Sequence, residues 1–180
     1  MKKIIFLILF IVTFLIGQSQ NVIIDQTTYA VEELVTDVLI NSPCADVFNI
    51  TYSTGTNFGS SNGIGYFEEP IGKFPFDQGL IMASGNAGLG GGPNPGPGQP
   101  NSGALAWPGD PALNAIVGES SFNATIIEFD FIPIASRISF RFLMASEEYD
   151  QKVFECQYSE VLAFYLTDSV GATKNLAVLP

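Results

Sequence analysis

Apolar and polar positions alternate most clearly in the last third of the chain. Ile127, Phe129 and Phe131 fall on one face of an extended segment, with Glu128 and Asp130 on the other. Ile138, Phe140, Phe142 and Met144 repeat the pattern a few residues on. Period-two alternation predicts two half-buried strands, and Pro133-Ile134-Ala135-Ser136 between them predicts a short hairpin loop. The register such a loop implies sets Phe131 opposite Ile138, Phe129 opposite Phe140 and Ile127 opposite Phe142. It also sets Glu128 opposite Arg141, an opposite-charge pair. A slip of one residue destroys both matches. Residues 161–167 are apolar on both faces and are expected to form a central strand. Between the second and third strands lies an acidic loop, Ser146-Glu147-Glu148-Tyr149-Asp150, followed by Cys156. Any functional site is expected near this loop, held in place by a phenylalanine-rich core.

Upstream, residues 31–41 show the clearest helical period. Val31, Leu34, Val35, Val38 and Leu39 share one face, and Glu32, Glu33 and Asp37 lie opposite. Thr28 or a neighbour is expected to cap the start, and Pro43 to end the helix. Residues 47–53, 63–67 and 79–84 read as strands, with a polar, glycine-rich loop at 54–62. Residues 85–110 then turn to Gly, Pro, Asn and Ser. Strands resume afterwards, so this is a long loop within one domain, of a length usually associated with function or disorder. Trp107, the only tryptophan, closes it. Trp107 is read either as an anchor pinning the loop to the core or as a stacking platform for a ligand. Residues 110–117 predict a short helix capped by Asp110, with Pro111 at its first position. Residues 171–174 read as a turn, and 176–179 as the start of a further strand. The expected fold is a mainly-β, two-sheet antiparallel sandwich, jelly-roll-like, with one N-terminal amphipathic helix packed on it.

The first nineteen residues stand apart from this fold. Met1-Lys2-Lys3 is a basic start, residues 4–16 are an apolar run, and Gly17-Gln18-Ser19 supplies small residues before a cut. That is the pattern of a secretory signal peptide, and the apolar run is short for a membrane span. The domain organisation is therefore a signal at 1–19 and one domain at 20–180. The chain is expected to be part of a longer protein, because it stops on an unfinished strand.

Charge narrows the partners. The chain has eighteen acidic side chains against seven basic ones, and Lys2 and Lys3 leave with the signal. So acidic a surface argues against nucleic acid, anionic membranes and acidic polymers. Secretion places Cys44 and Cys156 in an oxidising compartment, where a single disulfide between them is the expectation. On the chain-entropy model a loop of that length stabilises by about 4–5 kcal/mol. Asn49-Ile50-Thr51 and Asn123-Ala124-Thr125 match the glycosylation sequon, a pattern common by chance.

The sequence contains no histidine, which removes Ser-His-Asp triads, Cys-His nucleophiles and histidine-ligated metals. The glycines at 85–98 lack the lysine and hydroxyl residue of a phosphate-binding loop. Carboxylates remain. Glu147, Glu148 and Asp150, with Glu155 and Glu160 nearby, suit weak extracellular calcium binding through loop oxygens. A carboxylate pair for glycoside hydrolysis is the less favoured chemistry, since adjacent Glu147 and Glu148 point to opposite sides of an extended chain. The acids equally serve to cap backbone donors or face solvent.

A series of short motifs resembles the choice-of-anchor L domain family. They are Glu33-Leu34-Val35 with Asn41-Ser42-Pro43-Cys44; Tyr52-Ser53-Thr54-Gly55; Gly63-Ile64-Gly65-Tyr66-Phe67; Phe76-Asp77-Gln78-Gly79-Leu80 leading to Ala83-Ser84-Gly85; Trp107-Pro108-Gly109-Asp110; Glu128-Phe129-Asp130-Phe131; and Phe142-Leu143-Met144-Ala145-Ser146-Glu147-Glu148-Tyr149 followed by Ala163-Phe164. The resemblance spans nearly all of the chain after the signal. It implies a secreted bacterial surface protein, displayed through varied C-terminal anchors, and it carries no established catalytic residues. The expected function is a non-enzymatic module for adhesion or surface assembly, supported by calcium at Glu147, Glu148 and Asp150. The alternative is a carbohydrate-binding module in which Trp107 or Tyr149 stacks on sugar.

Overall fold

A computed structural model of the chain describes residues 22–41, 43, 45–56, 63–72, 74–91, 107–146 and 160–177. Among these the protein is mainly strands in antiparallel sheets, with few helices and no barrel. A three-stranded sheet has the order β1 (Ile23–Asp25), β3 (Ile64–Glu68), β4 (Gln78–Met82). A second sheet pairs β2 (Ala45–Ser53) with β5 (Ile126–Pro133), and a third pairs β6 (Tyr165–Thr167) with β7 (Thr173–Asn175). The signal segment 1–19 lies outside the described residues. No helix among them is long and apolar enough to cross a membrane.

The best-buried core forms around the three-stranded sheet. An α-turn at Val31–Glu33, α1, continues as a π-helical segment, Leu34–Ile40. Its wider turns are marked by the Asn41 N–H donating back five residues to the Thr36 carbonyl, 3.1 Å. Val31, Leu34 and Ile64 form the cluster, with Val38, Tyr66, Leu80 and Ile127 packed at its margin. The widening rotates the last turn, so Leu39 is exposed rather than sharing the inner face. The helical start, at Ala30, has no side-chain cap of the kind expected from Thr28 or a neighbour. The Glu33 carboxylate reaches back to accept from the Ala30 N–H, 2.8 Å. The segment ends at Asn41 in the left-handed region, just before Pro43.

The two larger sheets meet at a closed hydrogen-bond circuit. The Gly63 N–H donates to Thr54 Oγ1, 3.0 Å, and Thr125 Oγ1 donates to the Ala83 carbonyl, 2.7 Å. With its one proton so committed, Thr125 must accept from the Thr54 hydroxyl, 3.1 Å away. The Ala83 N–H closes the ring onto the Gly63 carbonyl, 2.8 Å. A Cβ at Gly63 would run into Thr125 Oγ1 and the Ala83 carbonyl, so only glycine fits here.

β5 keeps its predicted alternation, with Ile127, Phe129 and Phe131 half-buried and Glu128 and Asp130 exposed. Its partner is not the predicted one. β5 pairs with β2, setting Val47 opposite Phe131, Thr51 opposite Glu128 and Tyr52 opposite Ile127. Residues 137–144 form no ladder among the described residues. Phe140 and Phe142 instead pack on Phe164, with ring centroids at 4.7 and 5.2 Å. Arg141 sits over the Phe76 ring at 5.0 Å rather than opposite Glu128. The expected phenylalanine core is thus corrected: Ile138, Phe140 and Phe142 stay largely exposed, and the buried core is Val35, Ile64 and their neighbours. The predicted strand at 161–167 is shorter than expected and belongs to the small β6–β7 hairpin, where Tyr165 and Leu166 are exposed.

β2 carries a bulge between Phe48 and Thr51, where two residues stand opposite Phe129 alone. Asn49 takes the left-handed conformation there and donates from Nδ2 to Asp130, 2.8 Å. The β3–β4 connection is organised by Glu69, a buried carboxylate that accepts from the Ile71 N–H at 2.9 Å and the Phe74 N–H at 3.4 Å.

Candidate functional site

Trp107 begins a clasp on the chain just before β5. Its N–H donates to Asn123 Oδ1, 2.9 Å, and its carbonyl accepts from the Asn123 N–H, 2.9 Å. Pro108 bridges Phe122, and the Ala124 N–H donates to the Pro108 carbonyl, 3.1 Å. The indole Nε1 donates to the Ala124 carbonyl, 3.0 Å, and the residue is only 8% exposed. This geometry holds the indole against the chain before β5. Gly109 passes so close to the Ser121 carbonyl that a Cβ would collide with it. Asp110 then accepts from the Ala112 and Leu113 N–H groups, 2.7 and 3.2 Å, and starts helix α2, Pro111–Val117, as its sequence predicts. Asn123 of the second sequon is held in this clasp in the left-handed conformation, and Thr125 sits in the hydroxyl circuit.

Glu147, Glu148, Tyr149, Asp150, Glu155, Cys44 and Cys156 lie outside the described residues. Glu160, at the far end of that stretch, accepts from the Ser84 hydroxyl, 3.1 Å. Among the described residues no three acidic or cysteine side chains are grouped to hold a metal ion.

The structure assembles a concave surface that the sequence pattern does not single out. The turn after β1 is built on Asp25, whose Oδ1 accepts from the Thr27 N–H, the Thr27 hydroxyl and the Thr28 N–H at 2.8–3.0 Å. The Thr28 hydroxyl, then the Thr27 and Thr28 N–H groups, hold the carboxyl well below the usual carboxylate range. The turn projects Tyr29 over β3, where its ring meets that of Tyr66 at 5.0 Å and 49°. The Tyr66 hydroxyl donates to Gln78 Oε1, 3.1 Å. Desolvation first, then the negative charge of Glu68, raises the Tyr66 pKa, so the phenol stays protonated at neutral pH.

Tyr29 is the wall shared by two shallow cavities. One, ≈ 190 Å³, is lined by Ile23, Asp25, Tyr66 and Glu68 beside it. The other, ≈ 310 Å³, runs over Gln26, Glu32 and Tyr52. Tyr29 and Tyr52 are 40% and 43% exposed. Among the described residues the lining carries three carboxylates and no basic side chain. Aromatic faces beside fixed hydrogen-bond acceptors are the equipment of a binding surface. The signal available in the sequence is the Asp25-Gln26-Thr27-Thr28 turn, an aspartate two and three residues before the hydroxyl residues it binds. It is overshadowed by the more conspicuous helix that follows.

A family model, the choice-of-anchor L domain, matches residues 23–180. No curated protein and no solved structure matches the chain.

Proposed function

The chain belongs to the choice-of-anchor L domain family, and from that premise we propose that it is a non-catalytic module displayed outside the cell, serving adhesion or surface assembly. The family points to a surface-associated chain. The observation that supports the rest is the concave face at Tyr29, which offers exposed aromatic rings and hydrogen-bond acceptors. We read the β1–β3–β4 and β2–β5 sheets, tied through the Gly63–Thr54–Thr125–Ala83 circuit, as the two leaves of a sandwich. The Cys44–Cys156 disulfide would fasten the end of the helical segment to the acidic loop, and calcium at Glu147, Glu148 and Asp150 would order that loop.

The test of the surface role is display. A strain carrying the intact gene is compared with one in which the gene is deleted, by antibody labelling of unpermeabilised cells and by attachment to surfaces. Labelling of wild-type cells with reduced attachment of the mutant is the expected result; antigen found only inside lysed cells would sink the reading. For calcium, the melting temperature is measured with and without millimolar Ca²⁺. A rise that disappears in Glu148→Gln and Asp150→Asn is expected, and no rise removes the metal from the account. For the disulfide, denatured protein should show free thiols only after reduction.

A further inference from the structure

We propose that the two shallow cavities that share Tyr29, one lined by Tyr66 and the other by Tyr52, bind a neutral, hydroxyl-rich saccharide, at a face built from neither Trp107 nor the acidic loop. The inference deepens the surface-module reading by naming a ligand class, but its test uses purified protein and does not depend on where the chain is displayed.

Four features converge on this ligand. The first is exposure: Tyr29 and Tyr52, tyrosines with large apolar faces, stand open to solvent along one cavity. An aromatic face is the surface on which the C–H side of a pyranose ring packs, while the phenol remains available to its hydroxyls. The second is rigidity. Tyr29 is backed by Tyr66 at 5.0 Å, and its turn is fixed by three donors converging on Asp25 Oδ1. A pre-set platform loses little entropy on binding. The third is charge. Asp25, Glu32 and Glu68 line the two cavities, with no compensating base among the described residues. Carboxylates accept from sugar hydroxyls but repel uronate, sulfate and phosphate groups, which selects neutral glycans. The fourth is size. Cavities of ≈ 190 and ≈ 310 Å³ sit at or below the roughly 300 Å³ lower end of small-molecule sites. They suit one or two sugar units of a chain that continues into solvent.

Tyrosines beside carboxylates also form cages for quaternary ammonium groups in other settings. Here the two closest rings, Tyr29 and Tyr66, pack on each other at 5.0 Å, which leaves no room for a cation between them.

The intact chain is titrated with neutral oligosaccharides (gluco-, manno-, xylo- and N-acetylglucosamine-based hexamers), with polygalacturonate and with choline, followed by calorimetry and ligand-observed NMR. At least one neutral oligosaccharide should bind, and polygalacturonate should not. Tyr29→Ala and Tyr52→Ala should each weaken binding by about tenfold or more, and Tyr29→Phe should retain most of it. Trp107→Phe should leave the affinity unchanged. Tyr52→Ala guards against misfolding, since Tyr52 is exposed, and each variant's melting curve is compared with the parent. The proposal fails if no neutral oligosaccharide binds, if binding survives both alanine variants, or if choline alone binds at these tyrosines. Sugar binding on a chain that is never displayed would overturn the surface role and leave this site standing; display without sugar binding would do the reverse.

Discussion

Two apolar stretches of this chain both read as strands in the sequence and meet opposite fates. Residues 64–68 on β3 are locked between β1 and β4 and covered by the helical segment, so Ile64 is 0% exposed. Residues 137–144 have larger side chains and a clear period-two alternation, yet Phe142 is 54% exposed. Side-chain type does not explain the difference, because phenylalanine buries more area than isoleucine. What β3 has is a ladder on both edges and a second element laid across one face. Alternation marks which side chains share a face; burial needs a partner sheet or helix to close over it.

The comparison is most sharply tested at the buried end. Ile64→Ala leaves a cavity beneath the helical segment and should cost about 2–5 kcal/mol, read as a lower urea midpoint with an unchanged slope. A loss below about 1 kcal/mol would mean that β3 is not the centre of the core. Gly63→Ala comes next. The added methyl meets Thr125 Oγ1 and the Ala83 carbonyl, and relieving that overlap opens the hydroxyl circuit. Overpacking of this kind costs about 1–3 kcal/mol. Thr125→Val, which keeps the shape but removes the hydroxyl, separates steric strain from the lost hydrogen bonds. Asp110→Ala should be smaller, about 1 kcal/mol, because it removes one N-cap from a seven-residue helix; Asp110→Asn should restore most of it.

That ranking also marks what could be read beforehand. The Asp110-Pro111 start of α2, the strands near 47–53, 63–67 and 79–84, and the inward face of β5 follow from local chemistry, and local chemistry is written in neighbouring residues. Pairing is not. The Phe129–Phe140 register satisfies every side-chain rule at short range, but β2, some eighty residues upstream, supplies the same hydrophobic face. It adds a bulge at Asn49 whose side chain locks onto Asp130. Two asparagines in the left-handed conformation, Asn49 and Asn123, read in sequence only as sequons, and their structural roles come from distant partners. The Tyr29 cavities are illegible for the same reason: Tyr29 lies in the turn after β1, Tyr52 on β2 and Tyr66 on β3, and no spacing along the chain announces that Tyr29 lines a cavity with each of the others. The acidic loop at Glu147–Asp150 is legible as chemistry, but its geometry lies outside the described residues.

The smallest effect is expected at Phe142, and it is the one that decides what the exposed stretch is for. Phe142→Ser trades a ring that is half in solvent for a short hydroxyl. Its neighbours Phe140 and Phe164 remain in contact at 4.7 Å, so no enclosed void forms. A surface change of this kind should move stability by no more than about 0.5 kcal/mol, against the several lost at Ile64. Urea unfolding of the two variants side by side measures the contrast directly. If Phe142→Ser instead costs as much as Ile64→Ala, residues 137–144 are covered in the folded protein, and the difference between the two stretches disappears. A repeat across a range of protein concentrations then identifies the cover: a cost that grows with concentration places a second copy over these rings, because association stabilises a folded chain by mass action. A cost independent of concentration places the cover within the chain itself.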